Sequence, residues 1–157
     1  MSQQNVNIVR QLFDAFNRLD GNAMRDLWTV DAEWRPAYIG GGLLEGASFR
    51  GHEGVTEFVE LQSETWESVV VEPLEMRDLG DQVLAEVRLR AVGRASGVPV
   101  ERITWNVFSL RDGKAATGVV YKGREEALRA LAASDTETGP LPEVSRKRGA
   151  GTSAERE

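Results

Sequence analysis

DQVLAEVRLRAVGRA, residues 81–95, alternates its side chains: Val83, Ala85, Val87, Leu89 and Ala91 fall on one parity, Glu86, Arg88 and Arg90 on the other. A period of two is that of a strand with one face buried. Turn dipeptides stand on both sides of it, Gly80-Asp81 and Ser96-Gly97, and a third follows at Asp112-Gly113. They cut residues 69–123 into four strands: VVVEPLEMRDLG (69–80), the quoted segment, VPVERITWNVFSLRDG (98–113) and KAATGVVYKG (114–123). Connections this short join neighbours in space, so the four strands are predicted to form an antiparallel meander.

Upstream the period changes. Val6, Val9, Leu12, Phe13, Phe16 and Leu19 recur at helical spacing and predict an amphipathic helix from Gln3 to Leu19, ended near Asp20-Gly21. A second, short helix is expected with Asn22 as its cap and Ala23, Leu27 and Trp28 turned inward. VDAEWRPAY, residues 30–38, then reads as a strand with Trp34, Pro36 and Tyr38 on one side and Glu33 and Arg35 on the other, broken by Gly40 to Gly42. A third helix runs from Gly51-His52 to about Trp66, with Val55, Phe58, Val59, Gln62 and Trp66 along one side, and REEALRALA (124–132) closes the domain as a last helix. Helices preceding a bent antiparallel sheet predict an α+β architecture in which they cover the concave face.

Composition bounds the possibilities. The chain has 157 residues, 41% hydrophobic and 28% charged, which suits one soluble domain with one core. The longest aliphatic run, Val69 to Val71, is far short of a bilayer span. The start, MSQQNVNIVR, lacks the basic and apolar regions of a secretory signal, and there is no cysteine, so a cytoplasmic location is expected. A net charge of -6 sets the surface against nucleic acid and leaves a neutral or apolar partner as the expectation. One histidine and no cysteine leave no metal motif. From Ser134 onward the chain turns rich in Gly, Pro, Ser and charge, so residues 134–157 are expected to be a disordered tail beside a domain of residues 1–133.

Six segments in order, NIVRQLFDAFNRLDG, VDAEWRP, FRGHEGVTEFVE, VRLRAVGRASGVPVE, LRDGK and REEAL, resemble the SnoaL-like branch of the NTF2-like superfamily over residues 3–133. The resemblance implies a cone-shaped barrel: three N-terminal helices on the concave face of a curved, mostly antiparallel sheet, enclosing a cavity. It implies isomerase or cyclase chemistry without a cofactor, or ligand binding without turnover. Where members with ketosteroid-isomerase activity carry a carboxylate base, this sequence has Pro36, or Arg35 if moved by one residue, and neither accepts a proton at neutral pH. The family's acidic donor falls on Asn106, which can still donate to an oxyanion, and its first-helix tyrosine on Phe16.

The candidate site follows from that alignment. Trp34, Pro36, Tyr38, Trp66, Val87, Leu89, Asn106, Phe108 and Tyr121 come from separate elements and are expected to line the cavity, with Asn106 and Tyr38 as donors and His52 as the candidate base at its mouth. Each has a plainer alternative: the aromatics as core filling, His52 as a partly exposed residue at a helix start, and Arg88 and Arg90 as cross-hairpin partners of Glu101 rather than clamps for an acidic ligand. Trp105 takes the parity opposite to Asn106 and is expected on the outer face, where it suits a homodimer contact. Three functions remain open: a proton-transfer enzyme acting on a small apolar ketone, a non-catalytic binder of a small apolar organic molecule, and a dimeric interaction module with a filled cone.

Overall fold

The computed structural model describes residues 2–36 and 48–136. Along the chain run α1 (Ser2–Asn17), α2 (Gly21–Leu27), β1 (Trp28–Arg35), β2 (Phe49–Arg50), α3 (Gly51–Thr65), β3 (Trp66–Asp78), β4 (Gln82–Gly93), β5 (Pro99–Arg111), β6 (Lys114–Tyr121) and α4 (Arg124–Thr136). The six strands form one sheet in the order β2-β1-β6-β5-β4-β3. β3 to β6 are the expected antiparallel meander, while β1 joins β6 in parallel and carries the two-residue β2 on its free side. Two units divide the described residues, the second beginning at Glu125, and every residue of the cavity described below belongs to the first. α4 continues to Thr136, three residues past the expected end of the domain; the rest of the expected tail, Tyr38 and the Gly40 to Gly42 break lie outside the described residues.

Cross-strand register settles which parity faces the helices. Val83 pairs with Phe108, Ala85 with Asn106 and Val87 with Thr104, so these six share one face. All six are buried. Glu86 pairs with Trp105 on the other face, as the alternation predicts. There Arg88 lies 3.5 Å from Glu72 and 3.6 Å from Glu101, and Arg90 2.9 Å from Glu72. The arginines thus pair with carboxylates across strands, an exposed network in which each contact is worth about 0–1 kcal/mol.

Three helix boundaries differ from expectation, each because a side chain or strand claims the residue. α2 is capped by Asp20, whose Oδ1 accepts from the Ala23 N–H at 3.1 Å, instead of by Asn22. Trp28 is the first residue of β1 and Trp66 the first of β3, both in extended backbone where helix ends were expected. Arg94 fixes the second junction: its guanidinium donates to the carbonyls of Ser63 and Trp66 at 3.0 and 2.9 Å, which satisfies chain ends that the helix leaves open. Both indoles are thereby delivered inward.

α1 is fastened to the sheet at each end by an asparagine. Asn5 donates to the Gly80 carbonyl at 2.9 Å. Asn17 mimics a strand, donating to the Val71 carbonyl at 2.9 Å and accepting from the Val71 N–H at 2.8 Å. Asn17→Ala removes both bonds and is expected to lower stability by about 1–3 kcal/mol, read from urea unfolding midpoints, with Asn5→Ala costing about half as much.

On the face of β1 opposite Trp34, Glu33 accepts from Arg35 Nε at 2.8 Å and Ser48 Oγ at 3.0 Å, with Arg50 at 3.5 Å. Burial pushes the Glu33 carboxyl up, but the Arg35 hydrogen bond and charge, the Ser48 hydroxyl and the Arg50 charge outweigh it, and the net shift is downward. A carboxyl lowered in the folded state contributes stability above its ordinary pKa of about 4.3 and loses that contribution as pH falls. Glu33→Gln should therefore cost up to about 1 kcal/mol at pH 7 and progressively less as pH falls through the lowered folded-state pKa, measured as the urea midpoint across an acid series.

Candidate functional site

Between the helices and the inner face of the sheet lies a cavity of about 80 Å³. Leu12, Phe13 and Phe16 of α1 and Met24 of α2 close one side, Phe58 and Gln62 of α3 another, and Trp28, Trp34 and Pro36 a third. The floor is sheet: Trp66, Val71, Val87, Leu89, Thr104, Asn106, Phe108 and Val120. Its volume is roughly half that of the ~150 Å³ apolar cavity that admits benzene, so as it stands it takes a few waters or one very compact molecule.

Trp34 organises the walls. Its ring stacks on Phe108 at 6.1 Å and 5° and meets Phe58 at 5.5 Å and Trp28 at 5.8 Å edge to face. Such arrangements suit the ring quadrupoles. They are possible because Gly118 sits in β6 beneath both indoles: a Cβ there would lie 2.8 Å from Trp34 Cε3 and 2.9 Å from Trp28 Cη2. A glycine in the interior of a strand is the sequence signal for such close approach.

The polar groups of the lining are few and incompletely paired. Thr104 Oγ1 donates to Asn106 Oδ1 at 3.3 Å, so the group Asn106 has left to offer is its Nδ2 donor. Gln62, 1% exposed, donates its Nε2 hydrogen to the Phe58 carbonyl at 3.1 Å, while its Oε1 has no partner among the described residues. The ring nitrogens of Trp28, Trp34 and Trp66 are also buried without a partner among the described residues. Among the described lining residues no side chain titrates between pH 2 and 12.

Of the expected site residues, Trp34, Pro36, Trp66, Val87, Leu89, Asn106 and Phe108 line the cavity. Tyr121 does not: it pairs in register with Trp105 on the opposite face, and its neighbour Val120, opposite Asn106, takes the inward position. A one-residue step in a strand reverses the face, and the parity of β6 is set by its pairing with β5. His52 is also placed elsewhere. Its Nε2–H donates to the Trp28 carbonyl at 2.9 Å, tying the start of α3 to the start of β1, and the ring is absent from the cavity lining. Tyr38 falls outside the described residues. Trp28, Thr104 and Gly118 were not foreseen in the site; the parity that assigns Asn106 inward also assigns Thr104, two residues earlier.

A curved sheet with one helix-covered face and an aromatic cavity between the two defines an α+β domain of the NTF2-like kind. The chain belongs to the SnoaL-like domain family, whose pattern matches residues 9–118. Among solved structures it is similar to a protein with a ketosteroid isomerase-like fold from Catenulispora acidiphila in complex with trimethylamine (19% identity, 78% of this chain and 89% of the other, TM-score 0.65). It is also similar to TerC co-crystallized with polyporic acid (20%, 83% and 98%, TM-score 0.64). A third is a candidate SnoaL-like polyketide cyclase from Jannaschia sp. CCS1 (20%, 83% and 93%, TM-score 0.65). No protein of curated function matches the sequence significantly.

Proposed function

We propose that this SnoaL-like domain holds one compact, largely apolar organic molecule whose oxygen accepts hydrogen bonds inside the cavity. The observation that carries this is the set of three buried indole N–H groups, Trp28, Trp34 and Trp66, of residues around one aromatic-walled space, with no acceptor for any of them among the described residues. A buried donor left without a partner costs about 1–3 kcal/mol, and a core that needed only filling would be served by phenylalanine at no such cost. Asn106 Nδ2 adds a fourth donor, held in orientation by Thr104. Solved structures of the same fold are of one protein in complex with trimethylamine and another co-crystallized with polyporic acid, which supports a small-molecule role.

Binding without turnover is favoured by the lining, which supplies donors and no titratable base among the described residues. An isomerase- or cyclase-type enzyme on the same site would use Asn106 and Tyr38 to stabilise an oxyanion, and the base, for which His52 is the candidate, would have to reach in from beyond that lining. The protein is further taken to be a cytoplasmic homodimer. Its contact would be the outer sheet face, where Trp105 and Tyr121 stand side by side.

Native mass spectrometry of freshly purified protein tests the reading. A dimer carrying one small adduct per chain, retained less by Asn106→Leu, is the expected spectrum. A bare chain whose indole fluorescence also ignores added small ketones would leave the cavity as packing only.

A further inference from the structure

Gln62 lies on the buried side of α3, on the same stripe as Val55, Phe58 and Val59. A long polar side chain there loses hydration and rotamer freedom and must be repaid by contacts. Only half of it is. The amide nitrogen reaches back one turn to the Phe58 carbonyl, which fixes which end of the amide is which, and Oε1 then has no donor among the described residues although it is fully buried in a residue that lines the cavity. Most buried side-chain polar atoms have a partner, so an unpaired amide oxygen at this place calls for an explanation.

The other unpartnered polar groups of the lining, the three indole nitrogens, are all donors, so none of them can serve an acceptor. What is missing at Gln62 is a hydrogen, which an occupant of the cavity can supply. Resting on the ligand reading above, we infer that the cavity selects a molecule carrying an O–H or N–H group in addition to its acceptor oxygen, a hydroxy ketone in the simplest case, with Gln62 as the specificity-determining residue. A hydroxyl has both capacities that the walls ask for: its hydrogen goes to Gln62 Oε1 and its lone pairs accept from an indole. Trp66, four residues on from Gln62 at the start of β3, is the donor nearest in the chain. An analogue with methyl in place of hydroxyl leaves Oε1 buried and unpaired, which is the situation in which sites discriminate most strongly.

Hydroxyacetone and butanone differ only by hydroxyl against methyl and are both compact enough for this space. Titration of each into ¹⁵N-labelled full-length protein can be followed at the four indole N–H resonances, with Trp105, on the opposite sheet face, as the internal reference. Expected is tighter binding of hydroxyacetone, on the order of tenfold, with the cavity indoles shifting and Trp105 still. In Gln62→Met, which keeps the length of the side chain and removes the acceptor, that preference should fall to about one or reverse; Gln62→Leu serves the same purpose should Met not fold. Equal binding of both probes by the wild type overturns the inference and leaves the ligand reading standing. A preference that survives in both variants overturns the role of Gln62. Binding of neither probe overturns the inference together with the reading it rests on.

Discussion

Gly118→Val is expected to destabilise the protein by about 3 kcal/mol, although strand propensity alone predicts a gain of up to about 1 kcal/mol. The first atom of any side chain at this position would lie 2.8 Å from Trp34 Cε3 and 2.9 Å from Trp28 Cη2, inside van der Waals contact. Both rings are held by aromatic neighbours. Trp34 is stacked on Phe108 on one face and met by Phe58 at 5.5 Å, and Trp28, 2% exposed, packs against both Trp34 and Phe108. Relief must come from pushing the indoles into the 80 Å³ cavity or from bending β1 away from β6. Either route changes the site, so the variant should also lose whatever adduct the wild type retains. Urea unfolding decides the matter: a midpoint equal to or above that of the wild type would show that propensity outweighs the indole contacts. Gly118→Ala, which adds one carbon at the same place, is expected to cost about half as much.

Trp28→Ala is expected to remove about 3–5 kcal/mol, a large part of the ~5–15 kcal/mol by which domains of this size are stable. Trp28 is among the largest fully buried side chains of the protein and stands where α2 ends and β1 begins. Its ring touches Trp34 and Phe108, and its carbonyl accepts from His52 at the start of α3. The backbone contact survives the substitution. The ring contacts do not, and the hole joins the existing cavity, which limits how far the walls can collapse onto it. Because that hole has the shape of an indole, millimolar free indole should raise the unfolding midpoint of the variant and leave the wild type unchanged, by simple mass action on the folded state. No rescue, with a loss under about 1 kcal/mol, would mean that the walls close over the gap and that the cavity is not rigidly shaped.

These two residues also mark where local reading stops. The meander was legible because alternation in β4 and three turn dipeptides carry it locally, and Asn106, Phe108, Val87 and Leu89 followed from parity within single strands. Trp34, Pro36 and Trp66 followed from the apolar side of their own segments. Tyr121 was misplaced because β6 is a short strand with apolar residues on both parities, Val119 and Val120 in succession, so no alternation selects its inner face. Its register against β5 does. His52 was drawn toward the cavity by its chemistry, whereas its position is decided by a carbonyl 24 residues earlier in the chain. Trp28 looked helical because the pattern of α2 runs up to it; the parallel pairing of β1 with β6 claims it for the sheet.

By itself, then, the sequence determined the α+β class, the four-stranded meander, the inward parity of β4 and β5 and the aromatic character of the interior. Each of these is a local periodicity, written in residues two or four apart. Tertiary structure alone decided which of Val120 and Tyr121 faces in, that Gly118 makes room for two indoles, and that the ring nitrogens of Trp28, Trp34 and Trp66 and the oxygen of Gln62 are buried without partners among the described residues. Those facts depend on strand register and on contacts between residues up to about ninety positions apart, where no local pattern carries the information; the pairing of hydrogen bonds across the assembled sheet supplies it.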